Sequence, residues 1–72
     1  MNGLKYYERT TLLIELIEQR RTGSPRSLAR KLGVTERTVY NILESLRLFF
    51  PQDIVYSVEE KSYVFMEKNN GD

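Results

Sequence analysis

A chain of 72 residues is one small domain, and at that size folding covers only ~60% of the surface exposed when unfolded, which leaves little room for a deep enzymatic pocket. With no cysteine, histidine or tryptophan, disulfides, zinc clusters, thiol nucleophiles and the commonest acid/base side chain are all missing, and no cofactor or metal site is expected. The net charge of +1 hides an uneven distribution: residues 20–47 hold seven Arg and Lys against Glu36 and Glu44, both flanks are net acidic, and a polyanion would be drawn to the centre of the chain.

A hydrophobic fraction of 40% and a charged fraction of 29% are ordinary for a soluble globular domain. Every apolar run falls far short of the ~20 residues that cross a bilayer, and the start lacks a signal-peptide pattern, so a cytoplasmic location is expected.

Gly23, Pro25, Gly33 and Pro51 divide the chain into four parts. In the first, Leu12, Leu13, Leu16 and Ile17 recur at helical spacing, and Arg20 and Arg21 suit the negative pole of a helix spanning 5–21. Ile14, Tyr6 and Tyr7 lie off that stripe and are expected to extend the core. Ser24 followed by Pro25 is a helix start, because the serine oxygen can accept an orphan backbone N–H and proline at the first turn loses nothing. Leu28, Ala29 and Leu32 then make a short apolar face over 25–32, and Gly33 supplies the left-handed residue that closes it. Thr35 caps a third helix, 36–49, in which Val39, Ile42, Leu43 and Leu46 repeat at i, i+3, i+4 and i+7, until Pro51 disfavours helical geometry at Phe50. Residues 54–66 are two β-branched and aromatic runs around "EEK", which reads as a hairpin with one face on the helices. The remainder, 67–72, reads as a frayed tail.

Helix, helix, tight corner, helix and hairpin is the order of a winged helix-turn-helix domain, an α+β fold that is mainly α. The segment "SLARKLGVTERTVYNILESL" resembles the helix-turn-helix of bacterial winged-helix regulators of the DeoR-like and biotin-repressor-like kind, with Leu28, Ala29, Leu32, Gly33, Val34, Thr35, Thr38, Val39 and Leu46 on the family pattern. The resemblance reaches "RTTLLIELIEQ" on one side and "IVYSVEEKSYVF" on the other, which makes 1–72 a single domain. Independently of it, Ala29 must be small where the third helix crosses the second, Gly33 makes the bend and Val34 plugs the corner.

At 100° per residue from the apolar stripe, Arg37, Asn41 and Glu44 point outward from the third helix, with Thr38 and Tyr40 on its flanks. The resemblance implies that the N-terminal half of this helix enters the major groove of double-stranded DNA. Arg37 can grip guanine O6 and N7, Asn41 can bridge adenine N6 and N7, Glu36 can accept from cytosine N4, and Tyr40 can touch a thymine methyl or a phosphate. Thr35, Thr38, Ser24, Arg26 and Arg30 are the expected phosphate contacts, since helix N-termini favour anions. In the wing, Glu59 and Glu60 would be repelled by DNA, Lys61 alone is suited to contact it, and Ser62 stands where relatives carry a glycine.

The expected function is sequence-specific DNA binding by a small transcriptional regulator, with a homodimer through Tyr6, Tyr7 and Ile14 or through Leu48, Phe49 and Phe50. The alternative is a protein-interaction module that keeps the fold without DNA. No paired carboxylates, phosphate-cradling loop or nucleophile–base pair can be assembled, so no enzyme is expected, and no small-molecule effector is visible. Both a stand-alone binder and a piece of a longer protein fit this reading.

Overall fold

The computed structural model describes residues 5–67. Three helices, α1 (Tyr6–Gln19), α2 (Pro25–Leu32) and α3 (Glu36–Phe49), are followed by strands β1 (Asp53–Ser57) and β2 (Ser62–Met66), a mainly helical winged helix. The strands pair antiparallel, with Ile54 opposite Phe65, Val55 opposite Val64 and Tyr56 opposite Tyr63. Of the expected tail, 67–72, all but Glu67 lies outside the described residues.

Each helix end has a local cause. Ser24 Oγ accepts from the Ser27 N–H at 3.1 Å, and Pro25 follows at the first helical position. Gly33 takes φ 72, and the N–H of Val34 returns to the Ala29 carbonyl at 2.9 Å, which closes α2 and makes the corner. Thr35 Oγ1 accepts from the Thr38 N–H at 3.2 Å and caps α3. Phe50 is extended at φ −89, ψ 142, where the following Pro51 disfavours helix.

The first helix is shorter than the expected 5–21. Lys5 is its cap, and Arg20 swings to φ 59 so that the Arg20 and Arg21 N–H groups close on Ile17 and Leu16. That left-handed turn ends the helix two residues before Arg21 and sends the chain toward the hairpin. The hairpin starts one residue earlier than 54, at Asp53. Its left-handed turn position is Lys61, at φ 56, not Ser62; the residue where glycine would relieve the backbone is one earlier than expected.

The core joins Leu13 and Ile17 of α1, Leu28, Ala29 and Leu32 of α2, Val39, Ile42, Leu43 and Leu46 of α3, and Ile54 and Tyr63 of the hairpin. Ile14 packs against this core, as expected, but Tyr6 and Tyr7 stay exposed at the helix start. Phe50 leaves the surface to meet Phe65 edge-to-face at 5.3 Å between ring centres, so neither it nor Ile14 belongs to an exposed dimer surface.

An isolated hairpin is marginal in water, and this one is held by a buried polar junction. Thr22, fully buried between α1 and α2, donates its N–H to Ser62 Oγ at 3.0 Å, while its Oγ1 accepts from the Tyr63 N–H at 2.8 Å. Ser62 Oγ in turn donates to the Tyr63 carbonyl at 2.8 Å. The Thr22 side chain thereby stands where a third strand would pair with β2. At the rim, Arg20 Nη1 meets Glu60 Oε2 at 3.2 Å, and Lys31 Nζ donates to the Arg21 carbonyl at 2.7 Å.

Thr22→Val keeps the shape but leaves the buried Tyr63 N–H without its acceptor. It should lower stability by about 1–3 kcal/mol, read as a reduced urea midpoint, and speed hydrogen exchange at the Tyr63 amide more than in the middle of α3.

Candidate nucleic-acid interface

Burying Val39, Ile42, Leu43 and Leu46 fixes the rotation of α3 about its axis, and the other side faces solvent. Glu36, Arg37, Tyr40, Asn41 and Glu44 are exposed on that side. Arg37 and Asn41 are one turn apart in the first half of the helix. Among the described residues neither side chain makes a hydrogen bond or ion pair. Glu36 occupies the first turn, where the helix dipole favours a carboxylate.

Glu44 has another use. Its Oε2 accepts from Arg47 Nη1 at 2.7 Å, and Arg47 also donates from Nε and Nη2 to the Ile54 carbonyl at 3.2 and 2.9 Å. Arg47 therefore ties the end of α3 to β1. Lys31 likewise serves the loop before α2, and Arg20 is paired with Glu60. Of the seven basic residues in 20–47, Arg21, Arg26, Arg30 and Arg37 remain exposed without a carboxylate partner among the described residues.

The expected phosphate residues fall into three groups. Ser24 and Thr35 cap α2 and α3, so one lone pair of each oxygen is already engaged. Thr35 Oγ1 also donates to Thr38 Oγ1 at 3.1 Å, so that bond leaves the Thr38 hydroxyl proton for another acceptor. Arg26 and Arg30 project from α2 into solvent, and Lys61 sits apart from them in the wing turn.

Tyr40 lies on the flank of α3 that faces the wing, 48% exposed. Its phenol neighbours Tyr63, which packs edge-to-face on Tyr56 with ring centres 5.1 Å apart. Burial raises the Tyr63 phenol above its ordinary range, the Tyr40 and Tyr56 phenols push the same way, and Arg47 opposes them. Sequence reasoning missed this cluster and the Thr22 junction. The 40- and 41-residue separations from Thr22 to Ser62 and Tyr63 leave no periodic trace, whereas the excess of tyrosine in a short chain was a usable signal for the cluster.

Because the folded Tyr63 phenol titrates above the unfolded one, its contribution to stability is complete below pH ~10 and is lost as pH rises through the folded value. Ultraviolet titration should show one of the five tyrosines ionising late. Tyr63→Phe should remove that step and flatten the fall of stability with alkaline pH.

Among the described residues no three His, Cys, Asp or Glu gather as a metal site, and no helix is long and apolar enough to cross a membrane. No curated protein and no solved structure matches the chain. A family model described as "HTH domain" matches residues 8–64, from the first turn of α1 through most of β2. This is a family of DNA-binding domains and not of enzymes, so DNA is the partner in general terms. The chain belongs to the helix-turn-helix domain family.

Proposed function

We propose that the chain binds double-stranded DNA sequence-specifically, as a small bacterial transcriptional regulator of the DeoR-like or biotin-repressor-like kind acting in the cytoplasm. One observation carries the reading: Arg37 and Asn41 stand exposed and uncommitted in the first half of α3, within a helix-turn-helix family domain. Each is the side chain type that reads a purine edge bidentately in the major groove. Glu36 accepts from cytosine N4, and Tyr40 reaches a thymine methyl or a phosphate beside the wing.

The backbone amides at the starts of α2 and α3, with Ser24, Thr35, Thr38, Arg26 and Arg30, grip the phosphates. Lys61 adds a weaker contact from a wing whose carboxylates oppose it. One module of this kind buries only ~600–1,000 Å² on DNA, so a homodimer supplies the second half-site. Leu48 and Phe49, 83% and 80% exposed at the far end of α3, support that assembly without covering the reading face.

Binding by the purified chain to a duplex selected from a random pool tests the proposal. With about five phosphate contacts, log K should fall against log salt with a slope of roughly −4 to −5. Arg37→Ala and Asn41→Ala should each cost about 1–3 kcal/mol on the selected duplex and relax base preference at one position, whereas Arg26→Ala should weaken all sequences alike. Full affinity and unchanged preference in Arg37→Ala would contradict the assignment of the reading helix.

A further inference from the structure

The reading face of α3 continues into a groove that the assignments above leave unused. It lies between the start of α1 and the Thr38 flank of α3, encloses about 180 Å³, and is lined by Tyr6, Arg9, Thr38, Asn41, Ile42 and Ser45. Ile42 and the Tyr6 ring give it apolar walls, and the Thr38 and Ser45 hydroxyls, the Asn41 amide and the Arg9 guanidinium place donors around them. Among the described residues no carboxylate lines it. The volume is that of roughly six water molecules, the scale of one sugar–phosphate unit and too small for a helix or a strand.

Two lining residues, Thr38 and Asn41, also belong to the α3 face proposed to meet DNA. A duplex seated on Asn41 therefore brings the strand beside its major groove across this opening. Tyr6 stands 64% exposed at the edge, its phenol making no hydrogen bond among the described residues. An amphipathic ring held at the border of a groove lined by hydroxyl, amide and guanidinium donors suits a deoxyribose face and a phosphate oxygen.

Resting on the DNA reading above, we infer that this groove receives one sugar–phosphate unit of the bound duplex. The Tyr6 ring packs on the sugar and its hydroxyl donates to the phosphate, while Arg9 supplies positive charge behind it. The first helix is then a third DNA-contacting element beside α2 and α3. Its contact is blind to sequence, because sugar and phosphate carry no base identity.

The test uses the whole chain with a selected duplex and a scrambled one, measured by fluorescence anisotropy together with phosphate-ethylation interference. Tyr6→Ala should weaken both duplexes by the same roughly 5–10-fold and abolish interference at one phosphate, and Tyr6→Phe should fall between it and the parent. Ser45→Leu, which fills the groove from the α3 side, should remove interference at the same phosphate. Thermal melts identify any loss of folding in Ser45→Leu, and Tyr6→Ala changes an exposed side chain. Parent-like affinity and an unchanged interference pattern in both Tyr6→Ala and Ser45→Leu, with Arg37→Ala still impaired, would overturn the groove assignment and leave the reading helix standing. Failure of the parent chain to bind any duplex at low salt would overturn the DNA reading and the groove assignment with it.

Discussion

The apolar seam of Val39, Ile42, Leu43 and Leu46 decides what α3 can do. All four side chains are buried, and truncating one such residue costs about 1–5 kcal/mol, so the helix cannot rotate about its axis without losing most of a small domain's stability. Rotation being fixed, Arg37 and Asn41 are held in water by the same packing that holds the fold together. The proposed function therefore needs no special device at the reading face. It follows from where the core is.

A second constraint sorts the positive charge. Seven basic residues crowd residues 20–47, yet their tasks differ. Arg47 joins α3 to β1 through the Ile54 carbonyl, Lys31 holds the carbonyl groups of the loop before α2, and Arg20 meets the wing's Glu60. These contacts, with the buried Thr22–Ser62–Tyr63 junction, orient a two-stranded hairpin that is marginal in isolation. Arg21, Arg26, Arg30 and Arg37 are left exposed. The acidic wing is thus compatible with DNA binding, since one of its carboxylates is occupied by an arginine of the same chain and Tyr40, Tyr56 and Tyr63 fill the space between it and α3.

Elements governed by near neighbours were legible in the sequence. Ser24 with Pro25, Thr35, Gly33 and Pro51 act within four residues of themselves, and α2 and α3 begin and end where they direct. The exposed face of α3 was legible for the same reason, because it is the complement of an apolar period. Contacts between distant segments were not. Nothing near Thr22 announces that it substitutes for a strand, and nothing near Arg47 announces a carbonyl seven residues on. Arg20 and Lys61 adopt the left-handed backbone usually left to glycine, so α1 ended early and the wing turn shifted by one position. Phe50 looked like surface beside Leu48 and Phe49 until Phe65 arrived across the hairpin to cover it.

We propose that the amino end of α3 is the surface that meets a duplex. The most direct measurement is amide chemical-shift mapping by NMR as a selected duplex is titrated into the chain at low salt. The largest changes are expected from Thr35 to Asn41, with smaller ones at the start of α2. Changes concentrated at Leu48, Phe49 and the hairpin, with the start of α3 undisturbed, would contradict it.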